Sequence, residues 1–444
     1  MASQSAPPTE RITNHKTFFL VMTLCWLTVL FDGIDTFMYG ATIPSMASDA
    51  GFDMTPSHAG NIGSYATFGM LIGALCAGMI TDAIGRRWGI VACTSVFSLA
   101  SAICALAPNA AVFGVFRTIA GIGLGGLLPT AIAMVSELAP TPRRNLSIGI
   151  LMTAHQSGGI ASGLLSLWLL PALGWRSLYW IGVLPLFLIV PLILALLPES
   201  LTYLVAKGRL GKARTLATRY NIAMPTVQRP EAVSRKSPMA SLTMLFRGRN
   251  GAITVFFWMA SFGGLLLVYG VSTWLPSLME AEGFALGSSL LFLVTINLGG
   301  IFGLLVAGRS SDAWGPVRVS MIWFALTAIA IFCLGIDAPI ALTYGIVFSA
   351  GFFLFSAQTM VYAAVAHVFP TESRGSAIGW TTGMGRFGAI FGPWMGGQLF
   401  ALGLESWGFT AFALTSLFSV LMLLFISLLL NSTGGRALNL DTGR

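Results

Sequence analysis

Apolar residues fill this chain in twelve stretches, at about 17–43, 60–81, 88–107, 111–135, 146–170, 175–197, 252–279, 286–308, 317–336, 339–367, 375–402 and 407–430. Each is close to the ~20 residues that cross a bilayer as one helix. Short polar turns separate them, with one exception. The stretch 198–250 is long and polar, and its first part, Leu201–Tyr220, is basic and amphipathic. A segment of that kind is expected to lie along a membrane surface. The predicted organisation is an N-terminal tail 1–16, a six-helix bundle 17–197, a central loop 198–250, a second six-helix bundle 251–430 and a tail 431–444. The fold class is an all-α polytopic membrane protein.

The two halves repeat. Gly78-x3-Asp82-x2-Gly85 recurs in the second half as Gly308-x3-Asp312-x2-Gly315. Tyr39-Gly40 recurs as Tyr269-Gly270 at the same displacement along the chain, and Arg144 matches Arg374. Duplicated helical halves are a transporter architecture, with the solute site near the bilayer midplane between them.

Composition agrees with the pattern. Of 444 residues, 55% are hydrophobic and 9% charged, with a mean hydropathy of +0.81. A soluble domain carries about a quarter charged residues. The net charge of +8 could suggest a nucleic-acid partner, but 21 of the 24 Lys and Arg residues fall on alternate connections. The other connections carry Asp49, Asp53, Glu280, Glu282, Asp337 and Glu405, with Arg176 their one basic residue. Such a bias orients a membrane protein and places both termini in the cytoplasm. No nucleic acid is expected as a partner; the lipid bilayer is. The five cysteines lie in apolar stretches without metal-ligand or disulfide spacing, and no Walker motif appears, so no cofactor is expected. Gly121-x-Gly123-x2-Gly126 matches a dinucleotide fingerprint in letters, but it lies in an apolar helix with no preceding strand. Close helix packing through small residues explains it better.

Against this background the ionisable residues inside apolar stretches stand out, because a charge at membrane depth marks an ion or solute path. Asp32 and Asp35 lie three apart in the first helix, near one face, with Gly33 between them. Arg117 is about 9 Å in from the outer end of the fourth helix, a depth comparable to that of Asp35. A buried arginine keeps its proton and needs an anion, so a carboxylate is its natural partner. Arg386 falls near the middle of the eleventh helix.

These residues resemble the major facilitator superfamily over nearly the whole chain. Gly78–Arg87 is similar to the signature turn between its second and third helices, although Ala83, Ala313 and Pro316 stand where basic residues are usual. Pro198-Glu199-Ser200 is similar to the mark after helix six. Asp32-Gly33-Ile34-Asp35, Arg117-x3-Gly121-x-Gly123-x-Gly125-Gly126-x2-Pro129 and Gly385-Arg386-Phe387-Gly388 resemble the aromatic acid:proton symporter family. The resemblance implies a carrier, not an enzyme: a proton symporter importing a benzoate- or hydroxybenzoate-like anion across a bacterial inner membrane, acting as a monomer. Alternatives are a proton-coupled carrier of another organic acid or a sugar-like solute, or a drug:proton antiporter. Against the last, helix five lacks the exporters' Gly-x3-Gly-Pro-x2-Gly-Gly motif. On this reading Asp32, Asp35 and Arg117 couple the proton, and Arg386 binds the carboxylate. Its counterpart in the first half, Gln156, could face it and hold a ring hydroxyl. His155 is a further candidate, and Tyr269, Trp274, Phe352, Phe353, Phe355 and Trp380 could wall a ring. Asp82, Arg86, Arg87, Glu137, Arg143 and Arg144, with Asp312 and Arg374 from the second half, are the expected gating charges.

Overall fold

The computed structural model describes residues 15–52, 54–139, 144–220, 224, 245–246 and 249–431. They form α1 (His15–Ala47), α2 (Pro56–Ile84), α3 (Arg86–Leu106), α4 (Ala110–Leu138), α5 (Arg144–Leu173), α6 (Arg176–Ile181), α7 (Leu184–Leu196), α8 (Leu201–Ala206) and α9 (Leu210–Tyr220). After the central stretch come α10 (Asn250–Ala281), α11 (Leu286–Trp314), α12 (Pro316–Cys333), α13 (Ile340–Val368), α14 (Thr371–Ala401) and α15 (Gly408–Asn431). Among the described residues, ten spans, α6 and α7 counting as one, are long and apolar enough to cross a membrane. Helices α5 and α14 have 30 and 31 residues and pack into the same bundle. They are the helices that hold Gln156 and Arg386. Both terminal tails, Asp53, Arg143 and most of 221–248 lie outside the described residues, as does the side chain of Arg144.

Local chemistry sets the ends of these helices. Thr55 caps α2 by accepting from the His58 amide at 3.2 Å, with Pro56 in the first turn, where its missing N–H costs nothing. Asn109 caps α4 by accepting from Val112 N at 2.9 Å. The repeated glycines of the signature turn, Gly85 and Gly315, have φ of 100° and 80°. Only glycine adopts that region freely, so α2 passes into α3, and α11 into α12, through a single residue.

The predicted sixth helix, 175–197, is in fact broken between α6 and α7. Pro185 has no N–H to give Ile181 one turn back, and its ring crowds that carbonyl. Gly182 at the break lets Ser101 of α3 approach, since a Cβ there would stand 2.3 Å from its Oγ.

Two six-helix halves face each other. They meet over one end of the bundle, which we call the far end; it carries the α1–α2 and α10–α11 connections. Glycines make that contact. A Cβ on Gly60 of α2 would lie 2.8 Å from Gly397 Cα of α14, and one on Gly40 of α1 would lie 2.6 Å from the carbonyl oxygens of Ser272 and Thr273 of α10. Between α5 and α11 the glycines alternate sides: Gly163 against Val294, Gly159 against Asn297, and Gly300 against Gln156. At the near end, where α1 begins and α15 ends, the halves stand apart. Gly78 and Gly149, with their second-half counterparts Gly308 and Gly379, each have open space where a Cβ would project. The protein is closed at the far end and open at the near end.

Helices α8 and α9 follow the first half and pack on each other through Leu201, Leu204, Ala213 and Ala217. Tyr203 donates to the Ala83 carbonyl at 3.0 Å and Thr17 to that of Tyr220 at 3.0 Å, which ties the pair under the near end.

At the far end Asp49 closes a surface knot. Its Oδ2 accepts from Trp175 Nε1 at 3.0 Å and from Arg176 Nη1 at 2.9 Å, and the Arg176 guanidinium stacks on Trp175. The Trp175 bond, then the Arg176 bond, holds the Asp49 carboxyl below its ordinary range. A depressed folded pKa adds stability that is present above the unfolded value, ~3.9, and is lost as pH falls through the folded one. Asp49→Asn should therefore lower the melting temperature at pH 7 by about 2 °C. The gap to the unmodified protein should narrow below about pH 4. A gap that stays constant from pH 7 to pH 3 would mean that this charge contributes nothing.

Candidate functional site

The two acids of α1 diverge. Asp35 is fully buried, and its Oδ2 is 2.6 Å from Arg117 Nη1 of α4, while Oδ1 accepts from Ser101 Oγ of α3 at 3.3 Å. Arg117, 2% exposed, is held between two aromatic faces, 5.4 Å from the Tyr39 centroid and 5.9 Å from that of Tyr179. Thr42 Oγ1 and Tyr179 Oη lie 3.1 Å apart and complete the shell. A guanidinium between phenol rings gains cation–π attraction where water is excluded. This ion pair lies wholly within the first half.

Asp32, one turn toward the near end and 4% exposed, makes no ion pair among the described residues. Its charge and that of Arg386 on α14 interact across the boundary between the halves. Arg386 Nη1 donates to Tyr269 Oη of α10 at 3.0 Å, a partner that its isolation in the sequence did not suggest. Tyr269 itself reaches Met70 Sδ of α2 at 3.8 Å. Below Arg386, Gln358 of α13 donates from Nε2 to Tyr362 Oη at 2.8 Å and to Ser261 Oγ at 3.2 Å. Gln358 and Ser261 are buried within the second half, against Gly264 and Gly385. Gln156 is buried opposite Gly300, and its Oε1 has no hydrogen-bond partner among the described residues. His155 lies edge-on to Phe37, at 5.3 Å between centroids, and Phe37 meets Phe355 across the boundary at 6.4 Å.

Several predicted site residues do not join this cluster. Trp380 lies six residues before Arg386 on α14, about 9 Å nearer the open end. It stacks on Trp258 at 5.8 Å and is 45% exposed. Trp274 donates to the Pro393 carbonyl at 2.8 Å and stacks on Phe400 at the far end. Phe352 and Phe353 pack within the second half, Phe353 edge-on to Trp323. The expected aromatic wall thus reduces to Phe37, Phe355 and Tyr269, and Phe37 was missed. Tyr179, Ser101, Tyr362, Gln358 and Ser261 were missed as well. Only the repeat of Tyr39-Gly40 at Tyr269-Gly270 signalled that tyrosines matter here.

At the near end, Arg86 pairs with Glu137, whose Oε2 accepts from Ser200 Oγ at 2.5 Å. Glu199 Oε1 accepts from the Arg87 amide at 3.1 Å, at the start of α3, and the Arg87 guanidinium donates to the Leu194 carbonyl. These contacts join the first half to the start of the central loop, and none of them involves a second-half residue. Asp82, Asp312 and Arg374 are exposed and make no ion pair among the described residues.

The chain matches the family model described as Major Facilitator Superfamily over residues 25–317 and 288–439. It is 33% identical to a benzoate transport protein of Acinetobacter baylyi over 420 residues, covering 92% of this chain and 89% of the relative. It is 36% identical to a gallate transporter of Pseudomonas putida over 399 residues, covering 87% and 86%. Among solved structures it is similar to the xylose transporter XylE from E. coli, with a TM-score of 0.70, 20% identity and coverage of 93% and 97%.

Proposed function

This chain belongs to the major facilitator superfamily and is a transporter rather than an enzyme, and from that premise we propose that it imports a small aromatic carboxylate together with protons. The near end then faces the cytoplasm of a bacterial inner membrane, in line with the excess of Lys and Arg on the connections at that end. The benzoate and gallate carriers among its relatives support the substrate class.

The observation that carries the reading is the unequal state of two arginines at membrane depth, Arg117 buried and Arg386 half-buried. Arg117 is neutralised by Asp35 and enclosed by tyrosine rings. Arg386 has a neutral phenol for a neighbour and an acid, Asp32, within electrostatic reach but not in contact. A guanidinium so placed accepts a carboxylate in a planar, two-bond fit. Asp32 and Asp35 are the proton carriers. Substrate anion and Asp32 charge compete for the same field, so a proton on Asp32 favours the anion on Arg386, and the reverse. Phe37 and Phe355 provide apolar faces for the ring, and Gln156 a buried amide for a ring hydroxyl.

Labelled benzoate uptake into proteoliposomes tests this. Accumulation is expected with an inward proton gradient and collapses when the gradient is dissipated. Accumulation that ignores the gradient, or no uptake of benzoate or hydroxybenzoates at all, would remove the reading.

Gating belongs to the same proposal. Asp82, Asp312 and Arg374 are apart here because the cytoplasmic end is open; when it closes, these charged ends approach. Asp82→Ala should remove one contact of the closed arrangement and shift the population further toward the inward-open form. Cysteines placed at each end should then label faster inside and more slowly outside. Unchanged labelling would reduce Asp82 to a topology signal.

A further inference from the structure

Tyr39 touches both the buried ion pair and the closed outer contact. Its ring covers Arg117 at 5.4 Å, and its hydroxyl donates to the Ala59 carbonyl of α2 at 2.5 Å. The next residue of α2, Gly60, is the one packed on Gly397 of the second half. One turn further, a Cβ on Gly63 would stand 2.7 Å from Pro393 Cβ of the second half and 3.2 Å from Tyr39 Cε1. The residue after Tyr39, Gly40, rests on the Ser272 and Thr273 carbonyls of α10. The repeated Tyr-Gly pair therefore has a physical content. In the first half the tyrosine reads an arginine, and the glycine beside it is part of the contact between halves.

We propose that Tyr39 is the positioning residue through which the state of the Asp35–Arg117 pair sets the closure of the outer face. The inference rests on the proton role of Asp35 proposed above. With the pair intact, Arg117 is drawn toward Asp35 and the Tyr39 ring stays between Arg117 and α2, with its hydroxyl fixing Ala59 and hence Gly60 and Gly63 against the second half. A proton on Asp35 removes the charge that fixes Arg117. The guanidinium then shifts against the ring, and the ring carries Ala59 and Gly60 off Gly397. The tyrosine is nearly fully buried and stacks on Phe113, so it has little room to move without moving α2. The titratable or charged groups around Asp35 are Asp32 and Tyr39 on α1, Cys104 on α3, Arg117 on α4 and Tyr179 on α6. His155 of α5 packs its backbone on Gly33.

The test reads outer opening against pH. Ser277→Cys, in a background with the five native cysteines replaced, reports opening, because Ser277 is buried and lines the cavity at the far end between Pro44, Met54, Trp274 and Phe400. With Tyr39 present, labelling by a membrane-impermeant maleimide, divided at each pH by that of an exposed reference cysteine at Ser48 because the reactive thiolate is scarcer at low pH, should rise at least about fivefold from pH 8 to pH 5.5, the low end of a coupling between sites. Tyr39→Phe keeps the ring and removes the bond to Ala59. It should flatten the rise to less than twofold while benzoate still raises the melting temperature, which establishes that the variant is folded. Asp35→Asn should also flatten the rise. If Asp35→Asn flattens it and Tyr39→Phe does not, Tyr39 is only packing and the inference is overturned, with the proton role intact. If the starting protein shows no rise, the proton role itself fails, and this inference with it.

Discussion

Asp35→Asn should abolish uphill uptake of benzoate while leaving the protein inserted and able to exchange labelled for unlabelled substrate. The asparagine stands in for a permanently protonated acid, so the cycle loses the step in which a proton is released. The change is not silent for folding. Removing one member of a buried ion pair costs about 3–5 kcal/mol, because the other charge stays buried. Here the cost is softened by the two tyrosine rings and by the Asp35 carbonyl, which Arg117 Nη2 reaches at 3.4 Å. Asp32→Asn separates the two effects. Asp32 has no ion-pair partner among the described residues, so its neutralisation should change the melting temperature little. Uphill uptake should still fall, and benzoate should bind more tightly, because a negative charge near the Arg386 site is gone. Gradient-driven uptake at unmodified rates in both variants would end the proton assignment.

Arg386→Ala should weaken benzoate binding by about a hundredfold, the loss typical when one partner of a hydrogen-bonded charge pair is truncated. Arg386→Lys should weaken it about tenfold despite keeping the charge, because an ammonium cannot make two parallel bonds to a carboxylate. Benzamide, which presents no anion, should bind poorly to the unmodified protein and respond little to either change. Calorimetry or substrate-induced thermal stabilisation on purified protein measures all three. Tyr269→Phe is a useful companion. It frees a guanidinium N–H while leaving the ring, so benzoate affinity should change less than in Arg386→Lys. If Arg386→Ala binds benzoate normally and Arg117→Ala does not, the anchor is on α4. The enclosure of Arg117 by Asp35, Tyr39 and Tyr179 argues against that outcome.

Depth along a helix is simple arithmetic, and what depends on depth was legible in the sequence. A constant rise per residue put Asp35 and Arg117 at one level, and they form an ion pair. The spacing of apolar runs separated twelve crossings, and the repeated Gly85 and Gly315 marked the turns. Direction around a helix was not legible. In a soluble helix the polar face betrays the outside, but a membrane helix is apolar all round. So Trp380 could be placed on the right helix but not on the right side of it. Asp32 and Asp35, read as sharing a face, turn out to serve different partners. Tyr179 and Tyr362 were invisible because a tyrosine in an apolar run is most often packing or an interfacial anchor. The break before Pro185 was readable in principle; the long apolar run around it obscured the signal.

The two ends of this protein are held by different forces, and dissolved salt distinguishes them. The closed outer contact is made by glycines on backbone, with few polar bonds such as Ser64 to the Ile390 carbonyl and Gln398 to Ser57. Apart from Glu280 in the far-end cavity, ions in the medium have little there to screen. The near end carries Asp82, Asp312 and Arg374, all exposed, and at ~0.15 M salt attraction between exposed charges fades beyond about 8 Å. Raising ionic strength therefore weakens closure of one face and spares the other. On the orientation proposed above, the balance between the two forms of the carrier should respond to the salt of the cell interior and be nearly indifferent to that of the surroundings.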